Sequence, residues 1–365
     1  MAAKKKKSNV VGLNPADQIR QYLSDNKEYH NDFAEEIDYV VSSGSLLLDM
    51  EMSGGLRPSV IRASGVAEGG KTSCALSFAR NFQKMDNSMV VYVKAEGRLS
   101  KEMIERAGVD TSEGKWCVRK TNIYEHVLNF LRHLVQDNPT GCKYLFIIDS
   151  MDALVRHSDL DRPFEESNKV AGGSTLSSDF LRKIALSLSV GGHILFLISQ
   201  VRSKVSINPY DKGDPRLTNA SGGNALLHYS DWILEFQPRY SADFIKEKDD
   251  QGKEGIVGHF CRVILRKTPN EKTGSLVRYP IKYFRKNGES VWTEQEVIDV
   301  MTAFHCISTK GPWIAFSDEM CADFDKNKIE YEKQHQGIEK FRKYLTSNKK
   351  LSKYLYNYIL EAFSK

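Results

Sequence analysis

The run Gly65-Val66-Ala67-Glu68-Gly69-Gly70-Lys71-Thr72 gathers residue types that can hold a polyphosphate, at the spacing G-x-x-x-x-G-K-[ST]. Glycines let the backbone wrap closely enough for its N–H groups to face phosphate oxygens. A helix beginning near Lys71 adds its positive dipole end to the same place. Lys71 supplies a mobile cation for β- and γ-phosphates, and the Thr72 hydroxyl is a ligand for Mg²⁺. With Ser73 directly after it, the stretch is the candidate site for ATP and Mg²⁺. A chance glycine-rich turn would need a strand before it and a helix after it by accident.

Three more side chains suit the same chemistry. Asp149 ends an apolar run, where a carboxylate emerges at a strand's C-terminal edge beside a nucleotide crevice, and can hold the metal directly or through water. Hydrolysis also needs a group that orients water toward the γ-phosphate. Glu96 follows the run 90–93 and Gln200 follows the run 194–198, so both stand at comparable edges. Taken singly, each is as readily a surface Glu, a strand-end amide or a turn-forming Asp. Together they put an acid, an acid and an amide at three strand ends.

The elements that must position these groups read as follows. A strand at 59–63 leads into the glycine-rich turn, and helix spacing follows at 74–85. Strands at 89–93, 144–148 and 193–198 alternate with helical patterns at 123–135 and 176–188. That alternation predicts an α/β fold, a mostly parallel central sheet flanked by helices. After about residue 230, strands at 232–236, 260–265 and 277–284 follow without long helices between them, which predicts an antiparallel extension. A short module with helix-like spacing (Ile19, Tyr22, Leu23) comes first. A smaller domain rich in Lys and Tyr begins near Thr293 and closes with amphipathic helices at 338–345 and 351–363.

Bulk properties exclude several classes. Nothing approaches the ~20 consecutive apolar residues of a membrane span. The lysine run 4–7 lacks the apolar core of a secretory signal and reads as a solvated tail. Six cysteines without a CxxC pair or metal spacing read as free buried thiols of a reducing compartment, so a cytoplasmic location is expected. The net charge of +5 permits nucleic-acid binding without requiring it.

The order of these pieces resembles the RecA family of bacterial and phage recombinases, over about residues 40–363. The likeness runs through Ser42-Ser43-Gly44-Ser45-Leu46-Leu47-Leu48-Asp49, Gly54-Gly55-Leu56, the phosphate loop, Ala95-Glu96, Ala107-Gly108-Val109-Asp110, Ile148-Asp149-Ser150 and Ala153-Leu154. Gln200-Val201-Arg202 and Gly222-Gly223-Asn224-Ala225-Leu226 discriminate most, because many ATPases share a phosphate loop and few share those residues. Gly311-Pro312-Trp313 and the final helices look like the family's small C-terminal α/β domain.

The resemblance implies an N-terminal helical oligomerisation module in residues 1–38, a RecA-like ATPase core in 39–292 and a small basic C-terminal domain in 293–365. It implies that Glu96 activates the attacking water, that Gln200 senses the γ-phosphate, and that segments near 156–175 and 202–222 are DNA-binding loops. Arg182 lies on the helix after the first loop. The implied assembly is a homo-oligomeric helical filament on single-stranded DNA, with double-stranded DNA as second substrate and single-strand-binding and mediator proteins as accessories. ATP would lie between subunits, with Lys267 of a neighbour neutralising charge at the γ-phosphate.

Some positions depart from the family pattern. Pro269 stands at the place of a second such lysine, leaving Arg266 or Lys272 to compensate. Lys94 replaces the acid that commonly precedes Ala-Glu. Ser100 and Met103 stand where an adenine-contacting acid and aromatic are usual.

Both loop segments also make physical sense without the resemblance, being about 20 residues long, aperiodic and rich in Gly, Ser, Asn and Asp. In the second, Arg202, Lys204, Lys212 and Arg216 suit phosphates, and Val205, Ile207 and Tyr210 suit bases. Gly222, Gly223 and Asn224 close it. An ordinary surface loop would carry similar residues. Three activities fit: a DNA-stimulated ATPase that pairs and exchanges strands, a RecA-like regulator or mediator that binds DNA or a recombinase without exchange, and a hexameric helicase. The residues 222–226 disfavour the helicase, whereas Pro269 and Lys94 lend the regulator some weight.

Overall fold

The computed structural model describes residues 14–25, 38–97, 99–160, 172–200, 223–248 and 251–363. The chain divides into two units, residues 1–37 and 38–365. The first contains α1 (Pro15–Asp25), opened by a proline whose missing N–H costs nothing in a first helical turn.

The second unit runs α2 (Leu46–Glu51), β1 (Val60–Gly65), α3 (Lys71–Phe82), β2 (Ser88–Lys94), α4 (Lys101–Ala107), β3 (Trp116–Lys120), α5 (Tyr124–Gln136), β4 (Lys143–Asp149), α6 (His157–Leu160), α7 (Gly172–Val190), β5 (Ile194–Ile198) and α8 (Gly223–Tyr229). It continues with β6 (Trp232–Phe236), β7 (Phe244–Lys248), β8 (Glu254–Lys267), β9 (Leu276–Lys282), α9 (Thr293–Ala303), β10 (Ile307–Lys310), β11 (Trp313–Phe316), α10 (Asp318–Lys326), β12 (Gln334–Gln336), α11 (Ile338–Ser347) and α12 (Lys349–Phe363).

Among the described residues one large sheet has the order β3-β2-β4-β5-β1-β6-β8-β7, with β9 paired to β8. Strands β1 to β6 run parallel. The central ones are mostly apolar and buried, β5 at every residue, as a sheet covered on both faces requires, although β1 also buries Arg62 and Ser64. Phe78 and Phe82 of α3 pack with Phe196 on one face, and Leu131 of α5 and Ile184 of α7 pack with Phe146 on the other. This is the expected mostly parallel α/β sheet flanked by helices.

The antiparallel extension begins one strand later than the sequence suggests. β6 pairs parallel with β1 and antiparallel with β8. Parallel neighbours need a crossover connection, and the segment from β5 to β6, which contains α8, supplies it. Periodicity also misses short elements: α2, α4, β3, β7 and the antiparallel sheet β10-β11-β12.

That small sheet packs with α9 to α12 around Phe316, Phe324 and Phe341. Two joints tie this part to α2 and to the large sheet. Glu296 of α9 accepts hydrogen bonds from Ser45 Oγ at 2.5 Å and Leu46 N at 3.0 Å, capping α2. Trp292 is wholly buried, with the Lys282 ammonium 4.0 Å and the Arg342 guanidinium 4.7 Å from its ring centre.

All six cysteines are free, but only Cys74, Cys261 and Cys321 are buried; Cys117, Cys142 and Cys306 are half-buried, which corrects the expectation of six interior thiols. Among the described residues no helix is long and apolar enough to cross a membrane.

Candidate functional site

β1 delivers the chain into the phosphate loop under tight steric control. Gly65 has φ +139°, and a Cβ there would stand 2.2 Å from the Phe236 carbonyl oxygen of β6. Gly70, φ +107°, is the N-cap of α3, and Lys71 is the helix's first residue. The Lys71 ammonium is buried and donates to the carbonyls of Gly65 at 2.9 Å and Val66 at 2.6 Å. Burial lowers its pKa, opposed by Asp149, Asp152 and Glu96, so three carboxylates share its field. Between the glycines lie Val66, Ala67, Glu68 and Gly69. Glu68 takes a left-handed φ of 59°, and the Cys261 thiol donates to the Gly69 carbonyl at 3.4 Å. Ser73 is exposed in the first turn of α3.

The strands β2, β4 and β5 are consecutive neighbours, so Glu96, Asp149 and Gln200 emerge side by side. Thr72 Oγ1 donates to Asp149 Oδ2 at 2.9 Å. The Asp149 carbonyl accepts from Ala95 N at 2.9 Å and Glu96 N at 3.2 Å, fixing the turn that carries Glu96. Gln200 donates its amide to Glu96 Oε1 at 2.9 Å and its backbone N–H to Asp152 Oδ2 at 2.6 Å. Thus Thr72, Glu96, Asp149 and Gln200 form one hydrogen-bonded cluster, with Lys71 in the field of its carboxylates.

Two participants escape a reading of the sequence. The Tyr92 hydroxyl donates to Asp149 Oδ2 at 2.5 Å, yet Tyr92 reads as one more apolar residue of a buried strand. Asp152 lies beyond a strand end, in a single 3₁₀ turn (Met151–Ala153), and no motif marks it.

A hydroxyl and a carboxylate in contact at the head of α3 fit Mg²⁺, which takes hard oxygens from one or two side chains and the rest from phosphate and water. Among the described residues no group of three or more His, Cys, Asp and Glu could hold a metal ion by itself. A buried ammonium held by loop carbonyls and a glycine-lined helix start fit a triphosphate.

The other expected residues are placed as follows. Ser100 caps α4, accepting from Met103 N at 3.1 Å, and the partly buried Met103 packs against the core that includes Phe78 and Phe82. Lys94, at the end of β2, stands in register with Lys120 on β3 and Asp149 on β4. Lys267 donates to the carbonyls of Leu227 and His228, 2.9 Å each, at the C-terminal end of α8. Near Pro269, Arg266 is ion-paired to Glu235 at 2.5 Å and Lys272 donates to the Met50 carbonyl at 3.0 Å. Both candidate compensators are therefore engaged within the chain.

Arg182 is exposed on α7 and pairs with Asp179 at 2.7 Å. Gly223 and Asn224 open α8. Arg202, Lys204, Val205, Ile207, Tyr210, Lys212, Arg216 and Gly222 lie outside the described residues, as does the segment 161–171 of the first loop.

A glycine-rich loop joining a central parallel strand to a helix, with a carboxylate on the strand next but one, defines a P-loop nucleotide-binding protein. The family model described as RecA N-terminal domain matches residues 28–266. The chain belongs to the RecA family. It is 28% identical over 311 residues to Protein RecA of Bordetella pertussis, covering 84% of this chain and 81% of that protein. It is 29% identical over 280 residues to Protein RecA of Paramagnetospirillum magneticum, covering 76% and 71%. With Protein RecA of Petrotoga mobilis the identity is 27% over 334 residues, 89% of this chain and 83% of that protein.

Proposed function

We propose that the chain is an ATP-dependent DNA recombinase that assembles as a filament on single-stranded DNA and carries out homologous pairing and strand exchange. The Gln200–Glu96 hydrogen bond carries this reading. Gln200 stands at the root of the 201–222 segment and, in the same geometry, holds the carboxylate best placed to orient water. Asp152, which accepts from the Gln200 backbone, stands near the root of the other long segment.

The roles follow from the cluster. Backbone N–H groups of Gly65 to Thr72 and the Lys71 ammonium bind the phosphates. Thr72 and Asp149 would hold Mg²⁺, which when bound offsets phosphate charge. Glu96 takes the proton of the attacking water, with both oxygens available only once the Gln200 amide turns from it toward a γ-phosphate. That turn would reposition the segment whose Arg202, Lys204, Lys212 and Arg216 suit DNA phosphates. Lys267, leaving the end of α8, would serve a neighbouring copy. Partners under this reading are single- and double-stranded DNA and further copies of the chain.

The test compares ATP hydrolysis with and without single-stranded DNA for the wild type, Lys71→Ala and Glu96→Ala. A recombinase shows strong stimulation that both substitutions abolish. A second reading, a regulator that binds DNA or a recombinase without exchanging strands, draws on Pro269 and on the internal engagement of Arg266 and Lys272. It requires DNA binding at low salt with no stimulated hydrolysis.

A further inference from the structure

We propose that Tyr92 is a positioning residue for the metal side of the site: its hydroxyl pins one oxygen of the Asp149 carboxylate so that the other is left to face Mg²⁺. The inference rests on the reading of Thr72 and Asp149 as the Mg²⁺ site.

Tyr92 lies in β2, in register with Ile147 of β4, two residues before the pair Lys94 and Asp149. Its residue is 1% exposed, and its ring packs on that of Trp116, centroids 5.6 Å apart. Phenylalanine would fill that apolar space equally well. The hydroxyl therefore needs its own explanation, because burying an O–H without a partner is costly. The structure supplies one partner, Asp149 Oδ2 at 2.5 Å.

The same Oδ2 accepts from Thr72 Oγ1 at 2.9 Å. One carboxylate oxygen thus has two donors, while among the described residues Oδ1 has no hydrogen-bond partner. Rotation about the Cβ–Cγ bond would break both contacts at once, one of them short and charge-assisted. A carboxylate held this way presents a single oxygen in a fixed direction. Mg²⁺ demands near-octahedral geometry and accepts such a ligand, whereas Ca²⁺ tolerates bidentate and irregular sets. Partners behind a metal ligand orient it and tune affinity in this manner. Thr72 keeps its role as well, since a hydroxyl can offer a lone pair to a metal and its hydrogen to Asp149.

The test titrates Mg²⁺ and, separately, Ca²⁺ into the full chain with a fluorescent ADP analogue. Wild type, Tyr92→Phe, Asp149→Asn and the double variant are compared, with thermal unfolding recorded for each. Without metal, Tyr92→Phe should bind the nucleotide as wild type does. It should need on the order of tenfold more Mg²⁺ for the half-maximal metal effect, with a smaller change for Ca²⁺. In the Asp149→Asn background the same substitution should add nothing. An unchanged Mg²⁺ dependence in Tyr92→Phe would overturn the inference. So would weakening that is equal with and without metal, which marks a packing role alone. A wild-type protein whose nucleotide binding ignores Mg²⁺ would instead remove the Mg²⁺ reading itself.

Discussion

The side-chain amide of Gln200 donates to Glu96 Oε1 at 2.9 Å, joining the ends of β5 and β2 across the intervening β4. This contact makes the two residues separable by experiment. Glu96→Gln should lower ATP turnover by about 10²–10⁴ while leaving nucleotide affinity within a few-fold of wild type. Steady-state hydrolysis and fluorescent-nucleotide binding measure the two quantities. Gln200→Ala should instead bring the DNA affinities with ATP and with ADP closer together, read by fluorescence anisotropy.

Lys71→Ala removes the donor shared by the Gly65 and Val66 carbonyls and, with it, the cation proposed to bind the phosphates. Charge-assisted contacts are worth roughly 1.5–3 kcal/mol each. Calorimetric titration should therefore show ATP affinity falling on the order of 100-fold or more. Near-wild-type affinity would disconnect this loop from nucleotide binding.

Two glycines offer a matched pair for stability. At Gly65 a methyl group would sit 2.2 Å from the Phe236 carbonyl oxygen, whereas at Gly97, φ +67°, an added Cβ meets nothing within 4 Å. Gly97→Ala should cost only about 1–2 kcal/mol of backbone strain. Gly65→Ala should cost several kcal/mol, because backbone must move to admit it. Thermal unfolding of both variants ranks them.

Glu296 and Asp49 set a pH response. Burial pushes Glu296 up to about 8 from its ordinary 4.5, against hydrogen bonds from Ser45, Leu46 and Leu47 and with help from the charge on Asp49. Burial pushes Asp49 up to about 7 from 3.8, against donors from Ser42 and Ser43. Both acids hold their protons more tightly when folded, so their contribution is complete below about pH 4 and is lost as pH rises through about 8. Urea midpoints should fall between about pH 5 and about pH 9. Glu296→Gln should flatten that fall by an amount on the order of a few kcal/mol. An identical slope in the variant would exclude Glu296 as its source.

Much of the parallel core is legible in the sequence because β2, β4 and β5 are mostly apolar runs and β1 leads into residues with few other uses, Gly65 to Thr72 above all. The rest depends on pairing, which a linear pattern does not carry. Tyr92 reaches Asp149 only because β2 and β4 share a register. Arg266 and Lys272 read as free cations until Glu235 and Met50 are brought to them across 31 and 222 residues. α4 and β3, at seven and five residues, are too short for a period to declare itself. The direction of β6 is decided by a crossover whose composition reads as loop.

Glu296 fills the acceptor position at the start of α2 although it lies 250 residues further along the chain. A nascent polypeptide extending only to β9 would leave the Ser45, Leu46 and Leu47 donors facing water and the Leu46 side chain bare. The start of α2 thus acquires these partners only when α9 is present. A truncation before residue 293 would excise part of the earlier fold, and the shortened protein would not be the same core without an appendage.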